Sequence, residues 1–302
     1  ISACLVGSEM CIRDSYNTVA NNIIEKYGQC DSGCAAISIE GYTNWCNYNV
    51  VIGNTIYDGY GAGVRVQKGV ATSIVGNTIQ YARDGTLRNG QAIKMENQTS
   101  ETTVSGNTIT SCGLGIQSIS GGAVITGNSV SSSVSNVQGS GGGNTIVGNR
   151  IRSANIGESN ILTEGNYNIV AGNIVDGVDV NSYGIRSMGD YDIVEGNNVF
   201  NLPDSTRYIT ISGSNTKVRG NRGYVSENSG SATIASGSTS VTVNHGLSFT
   251  PVDGEIMVTP TNNLGNAFNF WVDSYTATTF QINVNADPGA TTATFAWRAS
   301  KK

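Results

Sequence analysis

Glu40, Arg65, Lys94 and Glu96 are the residues of this 302-residue chain whose types and spacing could do chemistry together. Two carboxylates flanking a glycosidic bond can divide acid and base work, and a separation of ~6.5–9.5 Å leaves room for a water between them. Arg65 and Lys94 could bind an acidic sugar or serve a lyase step. Aromatic residues gather in the same part of the sequence: Tyr27, Tyr42, Trp45, Tyr48, Tyr57, Tyr60 and Tyr81. An exposed ring has an apolar face and a polar tip, which suits stacking on a sugar. Asp58, Arg83 and Asp84 add titratable groups nearby. A plainer alternative stands beside this one: charges on an exposed sheet face pair across strands and are simply solvated. The rings, equally, could pack under a terminal cap.

Other chemistries are excluded or demoted. The single histidine, His245, stands far along the chain in Asn244-His245-Gly246, where a turn or packing role is expected. A Ser-His-Asp triad in the first two thirds would need another domain to supply that imidazole. Cys30, Cys34 and Cys46 fall in one region, where a disulfide would suit an extracellular protein. Three thiols alone do not complete a four-ligand zinc site. No cofactor is expected; an Asp58/Asp84 pair is the one place suggested for Ca²⁺. A net charge of -5 argues against nucleic acid, which needs a basic face. No apolar run is long enough to span a membrane.

These candidates must be positioned by short strands. The chain has 39 Gly, 4 Pro and few charges, with Val and Ile as its main apolar residues, which favours strands and tight turns over helices. Val51-Ile52-Gly53-Asn54-Thr55-Ile56 returns as Ile74-Val75-Gly76-Asn77-Thr78-Ile79 and again further on. Its Asn recurs at positions 22, 54, 77, 107, 128, 149, 173, 197 and 221, in steps of 21 to 32 residues. Apolar residues keep step three before and two after most of these Asn. A second apolar column runs Ile37, Val64, Ile93, Ile116, Val137, Ile161, Ile185 and Ile209. One such unit cannot bury its apolar side alone, whereas stacked units bury it continuously. Gly supplies a positive-φ turn, and stacked Asn side chains can bond up and down as an amide ladder.

Nine registers of this motif over roughly residues 16–225 resemble the right-handed parallel β-helix family. That resemblance implies an all-β solenoid of about nine coils, a fold that hosts lyases, hydrolases, adhesins and virion spikes alike. The paired-Asp and His pattern of polygalacturonases is absent, as is the tight Asp cluster of calcium-dependent pectate lyases. Residues one and three after each second-column position should point outward. This puts Glu40, Arg65, Lys94 and Glu96 on one face, with Glu40 and Glu96 roughly 10 Å apart at ~4.8 Å per coil. The connections 25–36 and 80–92 are longer than the others and fall on the same edge.

Residues 226–240, rich in Ser and Gly, read as a linker after the β-helix of 15–225. Beyond it, strand signals at 240–244, 254–259, 267–273, 279–284 and 292–299 predict a small antiparallel β-sandwich over 241–302. Val243-Asn244-His245-Gly246-Leu247, Phe270-Trp271-Val272 and Phe295-Ala296-Trp297-Arg298-Ala299 resemble C-terminal modules of phage tail proteins, and are similar to the H-type lectin sandwich. The likeness implies sugar binding or a homotrimer. Residues 1–14, with Ser8-Glu9-Met10-Cys11-Ile12-Arg13-Asp14, look like a translated sequencing adapter at the end of a metagenomic fragment, or else an irregular cap. Together these readings lead to an extracellular or virion-surface protein that recognises a polysaccharide or cell-surface glycan, of tail-spike or fibre type. A polysaccharide hydrolase or lyase and a structural spacer are the alternatives.

Overall fold

The computed structural model describes residues 4–6, 10–27, 35–41, 45–83, 90–131, 135–152, 158–177 and 181–301. Contacts divide it into two compact units, Ile1–Thr216 and Lys217–Lys302. The division falls earlier than residue 225, where the sequence repeat fades.

The first unit is a parallel β-helix. Its first sheet has nine strands, from Cys4–Val6 through Thr55–Tyr60 and Thr78–Arg83 to Asn198–Phe200. The second also has nine, from Met10–Ile12 through Ala35–Glu40, Ala62–Gln67 and Gln91–Met95 to Ile209–Ile211. The part of the third that lies in this unit runs from Thr18–Ala20 to Ile193–Glu195. Pairing is parallel and in register: Ile56 lies opposite Ile79, Val51 opposite Ile74, and Val64 opposite Ile93. All three apolar columns expected from the repeat are buried. Val and Ile suit such positions because branched side chains pack tightly on the pleated face.

The Gly-Asn pair turns each coil between the third and first sheets. Gly53 and Gly76 have φ of 66° and 63°, and Asn21 takes the same slot at 56°. The following Asn residues are buried and bonded in series. Asn54 Nδ2 donates to Asn77 Oδ1 at 3.0 Å, Asn77 to Asn107 at 3.0 Å, and Asn107 to Asn128 at 2.9 Å. The series runs from Asn22 to Asn197. A second, shorter ladder joins Asn144 to Asn168 and Asn168 to Asp192. The buried Asp192 carboxylate also accepts from Thr163 and Ser187 hydroxyls. Its sequence signal is a polar residue five before each of Asn149, Asn173 and Asn197, which the reading of the repeat passed over.

Residues expected to be an artefact or an irregular cap take part in this coil. Met10 lies opposite Ile37 and Ile12 opposite Ile39, and Ile12 is buried. Cys4–Val6 and Met10–Ile12 thus add one strand each to the first and second sheets.

The second unit holds two three-stranded antiparallel sheets on one core. One is ordered Glu227–Ile234, Ala293–Ser300, Ile256–Pro260; the other Ser240–Asn244, Thr279–Val284, Phe270–Asp273. Phe280 meets Trp297 edge-on at 5.5 Å between centroids, and Phe270 meets Phe295 at 5.5 Å. The expected linker 226–240 is corrected here, because Glu227–Ile234 is an edge strand paired along its length with Ala293–Ser300. Backbone pairing needs no apolar side chains, so most of this strand remains exposed and polar. Among the described residues no helix is long and apolar enough to cross a membrane.

Candidate functional site

The second sheet of the β-helix brings Glu40, Arg65, Lys94 and Glu96 together. Its register sets Ser38 opposite Arg65, Arg65 opposite Lys94, and Lys94 opposite Gln117. Inward neighbours Ile37, Ile39, Val64, Val66, Ile93 and Met95 anchor these strands in the core, so alternation directs the charged residues outward.

The four groups form an alternating chain. Arg65 Nη2 lies 2.9 Å from Glu40 Oε1, and Arg65 Nε lies 3.6 Å from Glu96 Oε2. Lys94 Nζ lies 2.8 Å from Glu96 Oε1. Ser38, which is buried, donates its hydroxyl to Glu40 Oε1 at 2.6 Å. Each charged side chain retains 19 to 26% exposure, so the row is accessible without being fully hydrated. Both carboxylates reach the same guanidinium. Neither is held as an unengaged proton donor, and a catalytic water between them would have to displace Arg65.

The polar row continues past the charged residues. Gln117 Nε2 donates to Gln138 Oε1 at 3.1 Å, and Gln138 Nε2 to Glu164 Oε2 at 3.3 Å. Ser140 also donates to Glu164. The sequence marks these residues as outward, but the charges alone drew attention as a site. Successive coils thus present carboxylates, cations and amides at about one strand spacing, ~4.8 Å.

The other candidates lie elsewhere. Tyr57 is on the first sheet, where its hydroxyl donates to Glu25 Oε2 at 3.0 Å. Asp58 and Tyr81 have φ of 53° and 57°, at equivalent bends near the ends of first-sheet strands. Tyr60 is exposed at the corner leading to the second sheet, and Trp45 is exposed before Cys46–Asn47. Arg83 ends its strand, while Tyr42 and Asp84 lie outside the described residues, as do Cys30 and Cys34. The connections 25–36 and 80–92 each join a first-sheet strand to a second-sheet strand, and residues 28–34 and 84–89 within them lie outside the described residues.

Tyr27 corrects the expectation of an exposed ring. It is fully buried and packs over Gly59, where an added Cβ would come within 2.2 Å of the ring. Burial, then the neighbouring Cys112 and Asp58, push its phenol above the ordinary range. Burial likewise pushes the Cys112 thiol up to about 11, against backbone hydrogen bonds from Ala82 and Tyr81. Burial, then the Asp14 and Glu40 carboxylates, push the Cys46 thiol up. Neither thiol has the lowered pKa that marks a nucleophilic cysteine. His245 is buried, accepting from Leu247 N–H at Nδ1 (3.0 Å) with Nε2 3.1 Å from the Thr276 carbonyl. The packing role expected for it is the one it has.

Comparison with known proteins finds the NosD family, described as periplasmic copper-binding protein, over residues 4–145, just under half of the chain. That segment contains no histidine, and among the described residues no three His, Cys, Asp or Glu side chains gather into a possible metal site. Nothing described there offers the imidazole or thiolate set that copper favours. No curated protein matches the sequence. Among solved structures, a mutant tailspike of E. coli bacteriophage HK620 in complex with a pentasaccharide is similar at 10% identity and TM-score 0.52, covering 96% of this chain and 70% of that one. The likeness is one of fold. The Gp54 tailspike of Acinetobacter baumannii bacteriophage AP22, in complex with a capsular saccharide, aligns at 10% identity and TM-score 0.46, over 95% of this chain and 64% of that one. The tailspike gp49 from Pseudomonas phage LKA1 aligns at 10% identity and TM-score 0.41, over 99% and 67%.

Proposed function

We propose that this chain recognises a surface glycan, as an extracellular or virion-borne protein of tail-spike or fibre type. The observation that carries this reading is the continuous outward row from Glu40 to Glu164 on the second sheet. It offers donors and acceptors at coil spacing on a rigid scaffold, which suits the hydroxyls of an extended sugar chain. Arg65 and Lys94 give it a place for an acidic sugar. Similarity of fold to a phage tailspike in complex with a pentasaccharide is consistent with this.

The test is a glycan array probed with the chain and with Arg65→Leu. Binding that the substitution abolishes supports the row as the contact; binding that it leaves untouched sinks it. A polysaccharide hydrolase or lyase is the second reading, kept for the two carboxylates and two cations on one accessible row, and it requires substrate to displace Arg65 from between the glutamates. New reducing ends, or unsaturated products, from acidic and neutral polysaccharides would establish it. Absence of both cleavage and binding would leave a structural spacer. Assembly as a homotrimer, expected from the likeness of the C-terminal module, is tested by sedimentation at micromolar concentration.

A further inference from the structure

The second unit carries its own candidate contact surface, on the outer face of the sheet made by Ser240–Asn244, Thr279–Val284 and Phe270–Asp273. Alternation sends Phe280 and Ile282 into the core and leaves the residues between them facing out. Trp271 then stands opposite Asn283, Asp273 opposite Gln281, and those two opposite Ser240 and Thr242. Every one of these side chains can hydrogen-bond, and Trp271 alone adds a broad apolar ring.

These side chains hold one another in place. Trp271 Nε1 donates to Asp273 Oδ2 at 3.0 Å, and Asn283 Nδ2 donates to Asp273 Oδ1 at 2.9 Å. Gln281 Nε2 donates to Ser240 Oγ at 3.1 Å. With its N–H engaged, the indole offers only its ring surface, and the side chain is 45% exposed. A ring fixed in advance loses little rotamer entropy when a ligand stacks on it.

From this geometry we infer that the face binds a neutral glycan, one sugar stacking on Trp271 while its hydroxyls bond to Asp273 and Gln281, with the buried Asn283 holding the carboxylate in place. A single ring among polar groups offers too little apolar area for the core of a protein interface. The one charge in the set is the Asp273 carboxylate, which accepts hydroxyl hydrogens and repels anionic sugars and phosphates. Hydrogen bonding, first from Asn283, holds that carboxyl below its ordinary range, so it remains an acceptor in mildly acidic solution. The second-sheet row is mixed in charge, so the two units present different sugar chemistries. This inference rests on the glycan-recognition reading.

The experiment uses the full chain and immobilised maltopentaose, cellopentaose, chitopentaose and mannopentaose, with oligogalacturonate as the anionic member. Wild type, Trp271→Ala, Trp271→Phe and Arg65→Leu are compared after near-UV circular dichroism confirms folding. Trp271→Ala should weaken neutral-sugar binding about tenfold, with Trp271→Phe restoring most of it, as expected for stacking worth ~1.4 kcal/mol. Equal binding of the neutral sugars by wild type and Trp271→Ala overturns the inference, as does a wild type that binds oligogalacturonate alone. In that last case Arg65→Leu should abolish the binding, and the second-sheet reading survives. A wild type that binds no saccharide overturns both.

Discussion

The β-helix and the C-terminal unit solve the same problem, burying polar groups under a sheet, in opposite ways. In the β-helix each buried Asn finds an identical partner one strand spacing away, so one solution serves every coil from Asn22 to Asn197. In the C-terminal unit Phe280, Phe295 and Trp297 pack among aliphatic residues, and the buried His245 has an acceptor and a donor that occur once. Repetition distributes stability along the coil and leaves the outward face able to change from row to row. The C-terminal unit concentrates stability in contacts that occur once.

Breaking a ladder should have the largest effect. Asn107→Ala deprives the Asn77 amide and backbone N–H of their acceptor and removes a donor to the Ile74 carbonyl. At ~1–3 kcal/mol for each buried group left unpaired, a loss of about 3–5 kcal/mol is expected in urea unfolding followed at Trp45. His245→Leu strands the buried Leu247 N–H and should cost the C-terminal unit about 2–4 kcal/mol, followed at Trp297. Single-tryptophan variants make the readouts separable. If either substitution moves both signals equally, the units unfold as one and the comparison fails.

Alkaline pH sharpens the contrast by a smaller amount. The folded Cys112 thiol titrates at about 11 rather than the ordinary 9.0, so folding favours its protonated form. That contribution is intact below pH 9 and is lost as pH rises from 9 to 11, about 2–3 kcal/mol in all. Cys112→Ala should remove its share of this slope from the β-helix transition, leaving those of Cys46 above pH 9 and Tyr27 above pH 10. In the C-terminal unit, burial and then Glu255 push the Tyr224 phenol from 10.0 up to about 12, with the same sign. Its transition should begin to fall roughly one pH unit later; simultaneous loss would count against the assignment.

The smallest stability effect belongs to the candidate site. Arg65→Leu breaks two partly exposed ion pairs, and a thermal-unfolding change within about 1–2 kcal/mol is expected alongside loss of glycan binding. A larger destabilisation would make the row a structural element first and a recognition surface second.

The apolar columns and the Asn ladder were legible because a fixed period forces equivalent residues into equivalent places. The outward face followed from the same period, which is why Glu40, Arg65, Lys94 and Glu96 could be grouped in advance. Tyr27 was misjudged because its burial depends on Gly59 in the next coil, a neighbour that no local pattern reveals. The Glu227–Ile234 strand was hidden because an edge strand needs a partner's backbone more than any particular side chains. Trp271 gave a strand signal, but the hold that Asn283 of the neighbouring strand has on its partner Asp273 depends on the register between two strands.

By itself, then, the sequence determined the solenoid, its inward columns and the face on which its charges stand, since strand alternation and coil spacing are local and repeated. Tertiary structure alone decided that Arg65 joins both glutamates, that amides extend the row to Glu164, and that a polar sheet face surrounds one fixed indole. Those outcomes depend on side-chain rotamers and on contacts between segments far apart in the chain, and neither is written in the period of the repeat.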